Sequence, residues 1–292
     1  MVLMWKKLKT GSSMSGHIEE LEYFFQEYKI FLEIEAIVSF VKGRDYDVIK
    51  CFYDFFLEIS QTPSKQQDVI DVAKSKLEEK FEEYKQENEN YKITFTRNHG
   101  NAIPISFSLN RNNKISHAFS LLAMAIKQYG EWRNGLNEKA IKEIYIKNLC
   151  DKQRYYFGNA PRDLNSHLAN VEASTNNKIL RQSLIEFHNG ISHLNAVYYW
   201  NTGDNEINTD RAANHFKRGA LDSYKAIIKD FCILAGQSPM ETIIDNLKIL
   251  RECEYQTVGD DSQRNKDRLY KKYQDFIANK IMKSFLNSKE HP

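Results

Sequence analysis

Leu180, Leu184, Phe187, Ile191, Leu194 and Tyr198 recur at intervals of 4, 3, 4, 3 and 4 residues. An α-helix, at 3.6 residues per turn, keeps such positions on one side and so builds one continuous apolar stripe. The spacing is that of a bundle seam. Ala213, Phe216, Ala220, Tyr224, Ile227, Phe231 and Leu234 repeat the pattern, as do Leu21, Phe24, Tyr28, Phe31, Ile34 and Ile37 nearer the start. Helices are expected over about 17–41, 45–60, 64–90, 114–129, 138–153, 163–174, 180–198, 213–234, 240–253 and 262–288. Only 12 Gly and five Pro in 292 residues leave too few tight turns for an all-β sandwich or an α/β barrel. Apolar residues make up 41%, too many for a disordered chain.

One stretch breaks the helical period. Ile93 and Phe95 alternate with Thr94 and Thr96, and Ile103, Ile105, Phe107 and Leu109 alternate with Pro104, Ser106 and Ser108. The link between them carries Asn98-His99-Gly100, so a β-hairpin is expected at about 92–109. Pro104 suits an edge strand, and so small a hairpin needs helices under its apolar face. The fold class read here is therefore mainly α, helical bundles with one inserted β-hairpin. Three regions are expected: a flexible basic arm (1–16), a helical region with the hairpin (17–160), and a C-terminal helix bundle (161–292). The polar stretch Tyr155–Arg162, with Gly158 and Pro161, marks the boundary between the last two.

The four cysteines, Cys51, Cys150, Cys232 and Cys253, lie at least 21 residues apart, which gives no zinc-ribbon or CxxC spacing. Free thiols in a reducing cytoplasm are expected. No apolar run nears the roughly 18 residues that read as a membrane span, so no membrane partner is expected. The first 16 residues lack the apolar core of a signal peptide.

The net charge of +2 conceals a segregation. Residues 1–91 carry 12 basic and 18 acidic groups, net −6, whereas residues 92–148 carry nine and three, net +6. The basic stretch can meet an anionic partner such as RNA, or dock on the acidic part of its own chain. The charged helix around 77–90 reads as a solvated face or a protein-docking surface.

Phosphate-loop, dinucleotide, zincin and α/β-hydrolase signatures are absent, and no Asp, Glu and His cluster has metal spacing. No cofactor and no metal are expected. What stands out is Arg followed by His: Arg111 and His117 with five residues between, Arg162 and His167 with four, Arg181 and His188 with six. Metal-independent RNA cleavage needs a base for the 2′-hydroxyl, an acid for the leaving oxygen and cations for the phosphate. Histidine serves either proton role, and arginine fits phosphate oxygens. Arg111 and His117 lead, because Asn112 follows the Arg and the pair enters a helix inside the basic segment. The hairpin tip with Arg97 and His99 lies close by in sequence. Arg162 and His167 also enter a helix, after Pro161. Lys114, and Arg154 with Tyr155, are candidate RNA contacts, the last pair by stacking bases and holding phosphate. Arg268, Tyr270, Lys271, Lys272 and Tyr273 interleave the same way.

Helical bundles with an Arg-x4–6-His motif and a polar residue after the Arg resemble the HEPN superfamily. The resemblance implies a metal-independent endoribonuclease in a toxin, phage-defence or CRISPR setting, or a non-catalytic nucleotide- or partner-binding relative. It also implies a homodimer with a composite site. The hairpin and the length depart from a minimal member. A non-catalytic interaction subunit remains open from the residues alone, as does a nucleotide-sensing bundle lined by His193 and His215. Arg181 and His188 lie within one helix; seven residues turn about 700°, so both flank the seam. His193, His215 and Arg218 can converge on them, and a buried polar layer that fixes register explains such a cluster equally well. Gly190 sits mid-helix, where glycine costs about 1 kcal/mol against alanine; a close helix approach would offset it.

Overall fold

A computed structural model describes residues 17–61, 66–94, 113–137, 139–144, 146–147, 179–200, 205–235, 240–257 and 263–282. The chain is mainly α. The helices are α1 (Ile18–Val41), α2 (Tyr46–Gln61), α3 (Gln67–Glu87), α4 (Asn113–Gly135), α5 (Arg181–Trp200), α6 (Asn205–Ala235), α7 (Met240–Thr257) and α8 (Gln263–Phe276). A 3₁₀ turn, Glu89–Tyr91, follows α3, and a π-helical turn, Ile277–Met282, follows α8. No strand occurs among the described residues. Of the expected hairpin, residues 92–94 are described; Ile93 donates its backbone N–H to the Glu33 carbonyl at 3.0 Å. Residues 95–109 lie outside the described residues, as do the helix expected over 163–174 and the stretch 155–162.

Two compact units form, each from two separated stretches: Met1–Ser120 with Leu184–Gly219, and Leu121–Ser183 with Ala220–Pro292. The first unit is held by aromatic rings. Phe24, Phe25, Tyr28 and Phe31 line the inner face of α1 and are fully buried, with Phe52, Phe55 and Phe56 from α2 and Phe81 from α3. Phe52 meets Phe24, Tyr28, Phe31 and Phe81 with ring centroids 4.9–5.7 Å apart. Edge-to-face pairs of this kind add about 0.5–1.5 kcal/mol each beyond burial. On the other side Phe119, Phe187 and Phe216 close the cluster. Gly43, at φ 86°, ends α1 in the left-handed region, and Asp45 starts α2 by accepting the N–H groups of Asp47 and Val48 at 3.0 Å.

A polar thread crosses this aromatic core. The Tyr28 hydroxyl bonds Nδ1 of His188 at 2.7 Å, and Asn195 donates to the Phe25 carbonyl at 3.0 Å. Glu35 lies 3.9 Å from Nε2 of His188 and pairs with Arg44 at 3.0 Å. Burial, and secondarily the Arg44 charge, push the His188 pKa down to about 3, so the ring is neutral. At 3.9 Å the carboxylate is beyond hydrogen-bond reach of the ring and does not offset that desolvation.

The second unit packs Trp132, Tyr224, Tyr273, Ile227, Phe276 and Ile281 around the later parts of α4 and α6 with α7 and α8. Two helix boundaries depart from those expected. Helix α4 runs through Gly130, where a stop was expected, because Trp132 beyond it is buried, as is Tyr129 just before it. Their burial outweighs the roughly 1 kcal/mol cost of one mid-helix glycine. Helix α6 begins at Asn205, well before the expected start at 213. Side chains tie down that first turn: Thr209 bonds the Asn205 carbonyl at 2.7 Å and Asp210 pairs with Lys114 at 2.5 Å. Such anchors leave no apolar periodicity to read.

Candidate functional site

The site lies in the first unit, where α5 and α6 run side by side. Glu186, Gly190 and His193 are spaced four and three apart on α5, which puts them on one face. A Cβ at Gly190 would lie 2.4 Å from the Phe216 ring. The glycine is there because α6 passes too close for any side chain. That close approach sets His215, the neighbour of Phe216 in sequence, against the same face of α5.

The imidazoles of His193 and His215 stack with centroids 5.3 Å apart and 19° between planes. Each is held through Nδ1. His215 Nδ1 donates to Glu186 Oε2 at 2.6 Å, and His193 Nδ1 donates to Asn208 Oδ1 at 3.1 Å. Nε2 of both rings has no partner among the described residues. Glu186 is buried, His215 retains 23% side-chain exposure and His193 is half-buried. Arg218 reaches Glu186 at 3.9 Å while staying 66% exposed, and Arg211 is exposed on α6 between Asn208 and His215. Burial lowers the His193 pKa; the Asn208 hydrogen bond opposes that, and the nearby His215 and Arg211 add to it. A buried carboxylate needs a cationic or hydrogen-bonding partner, and Glu186 has both beside it.

The arrangement can move protons. The His193 ring donates from Nδ1 to an amide oxygen and so presents an Nε2 lone pair in its neutral form, and the His215 ring sits on a carboxylate. Two exposed guanidinium groups stand by for an anion. No group of three or more His, Cys, Asp or Glu side chains able to hold a metal occurs among the described residues.

His193 and His215 meet each other, with Arg218 3.9 Å from Glu186, and not on Arg181 and His188 as expected. Arg181 and His188 do not share an environment: Arg181 is exposed, whereas His188 is 4% exposed inside the polar thread. His117 is exposed near the start of α4, one turn beyond Lys114, whose ammonium is engaged by Asp210. Arg111, Arg162, His167, Arg97, His99, Arg154 and Tyr155 lie outside the described residues. Sequence reasoning did not single out Glu186, Asn208 or Arg211. The signal was available for Glu186, which stands seven residues before His193 and four before the mid-helix Gly190. Helix α3, the expected acidic face, buries Leu77, Phe81 and Tyr84 and balances part of its charge through Lys80–Glu83 and Lys85–Glu82 pairs. None of the helices among the described residues is long and apolar enough to cross a membrane. Comparison with family models, with curated proteins and with solved structures finds no match to this chain, so a functional reading rests on its own residues.

Proposed function

We propose that this protein is an RNA-directed effector of HEPN-like type, a metal-independent endoribonuclease of a toxin or phage-defence setting, whose proton-transferring groups include His193 and His215. One observation carries the reading. Two imidazoles stack at 5.3 Å, Nε2 of both has no partner among the described residues, a buried carboxylate lies behind one and exposed arginines lie alongside. General acid–base catalysis by two histidines supplies what 2′-hydroxyl attack on a phosphodiester requires, and arginine steadies the phosphate charge. Arg111 with His117 and Arg162 with His167 remain the pairs that the resemblance marks. The test is incubation of purified protein with total RNA and defined tRNA in EDTA, beside His193→Ala, His215→Ala, His117→Ala and His167→Ala. Cleavage by the wild type that both His193→Ala and His215→Ala lose supports the reading. Loss in His117→Ala or His167→Ala alone moves the site to an Arg–His motif, and no cleavage by the wild type removes the enzyme reading.

A second reading, a non-catalytic helical interaction subunit, is favoured by the end of α1. Phe40 is 90% exposed there, beside Val41 at 58% and Ile37 at 37%. Apolar side chains grouped this way on a surface mark contact sites. This reading expects Phe40→Ser, and not the histidine variants, to abolish biological function.

A further inference from the structure

The imidazole pair is asymmetric, and the asymmetry assigns a direction to proton flow. His193 gives its Nδ1 proton to the neutral Asn208 side chain, so its Nε2 carries a lone pair. His215 gives its Nδ1 proton to Glu186, a carboxylate with 3% exposure, so its counter-ion for a second proton on Nε2 is built into the fold. The charged groups that face the pair are Glu186 from α5 and Arg211 and Arg218 from α6. The guanidinium groups of Arg211 and Arg218 sit three to four residues on either side of His215, where a strand's phosphates can bridge them.

We infer that His193 is the base and His215 the acid in cleavage of RNA, and that Glu186 is the positioning residue that fixes these roles. This rests on the function proposed above. The 2′-hydroxyl proton passes to Nε2 of His193 while the 2′-oxygen forms its bond to phosphorus. The bond from phosphorus to the 5′-oxygen breaks, and that oxygen takes the proton from Nε2 of His215. A 2′,3′-cyclic phosphate and a 5′-hydroxyl result. One proton has moved from His215 to His193, and exchange with water restores both rings. The substrate class follows: a ribonucleotide with a free 2′-hydroxyl on the 5′ side of the cut, its flanking phosphates held by Arg211 and Arg218.

The experiment uses the full chain in EDTA and an oligoribonucleotide carrying a mapped cleavage position. A second oligonucleotide has the bridging 5′-oxygen at that position replaced by sulfur, which leaves as a thiolate without needing a proton. A third has 2′-deoxyribose there. His215→Ala should lose about 100-fold or more on the oxygen substrate, the usual scale for a missing general acid. It should return close to the wild-type rate on the sulfur substrate. His193→Ala should stay slow on both. Glu186→Gln should lose kcat with KM held on the oxygen substrate and recover on sulfur, a signature that loss of packing would not produce. The deoxy substrate should bind without being cut. Rescue of His193→Ala in place of His215→Ala reverses the assignment, and a Glu186→Gln variant slow on both substrates removes the positioning role. Failure of the wild type to cut either ribo-substrate defeats the function itself, an outcome distinct from a wrong assignment of roles. A far-UV melt for each variant establishes that it is folded.

Discussion

Replacing Gly190 with alanine tests whether helix packing, and not a ligand, accounts for a glycine in mid-helix. Helix propensity alone makes Gly→Ala favourable by about 1 kcal/mol. Here the new Cβ would stand 2.4, 2.8 and 3.0 Å from three carbons of the Phe216 ring. Ordinary carbon contacts lie near 3.5–4.0 Å, so the ring must retreat by about 1 Å. It has little room: Phe216 is fully buried, edge-on to Phe119 at 5.5 Å and stacked on Phe187 at 6.4 Å. Overpacking typically costs 1–3 kcal/mol, and three contacts this short place the cost near about 3. Set against the propensity gain, Gly190→Ala should lose about 2 kcal/mol. Urea denaturation reads this as a lower midpoint at unchanged slope, and thermal unfolding as a drop of about 4 °C or more. A double-mutant cycle with Phe216→Leu isolates the contact, because alanine should become neutral or favourable at 190 once the ring is gone. A Gly190→Ala protein as stable as the wild type, or about 1 kcal/mol more so, would refute the reasoning. Because Phe216 follows His215 directly, the same substitution should also disturb the stacked imidazoles, and with them the RNA cleavage proposed above.

The His188 ring is neutral in the fold with a pKa near 3, whereas the unfolded chain takes up its proton near 6.5. The unfolded state therefore binds more protons between those values, and stability contributed here is full above pH 6.5 and falls as pH drops toward 3. The stability difference between wild type and His188→Gln, followed by urea midpoints from pH 4 to 7, should shift in the wild type's favour as pH rises, with a slope of up to about 1.4 kcal/mol per unit; a flat difference would contradict it. Asp45→Ala removes the acceptor for two N–H groups at the start of α2 and should cost about 1 kcal/mol, read by thermal melting. Gly43→Ala meets no atoms within 4 Å, so any loss comes from its φ of 86° alone and should be about 1–2 kcal/mol. Trp132→Ala, in the centre of the second unit, should cost about 3–5 kcal/mol in urea unfolding.

Periodicity alone determined the helical class and most helix centres, because a 3.6-residue turn writes its buried face directly into the order of apolar residues. It located α1, α2, α5 and α7 to within a few residues, and it marked the Gly43 stop, where glycine is read from backbone geometry. It could not see that α4 continues past Gly130 or that α6 starts among polar residues, since those ends are held by Trp132, Lys114 and Asp210 through contacts distant in sequence. His193, His215 and Arg218 were legible as residues able to meet. Asn208, which holds the His193 ring, was not, because an amide on a helix carries no signal until a partner helix faces it, whereas Glu186 was legible only through its spacing to Gly190 and His193. The close passage of α6 over Gly190 decides which side chains meet. The sequence order of polar groups fixes their spacing along one helix, but the distance between two helices is set by the bulk of the side chains between them.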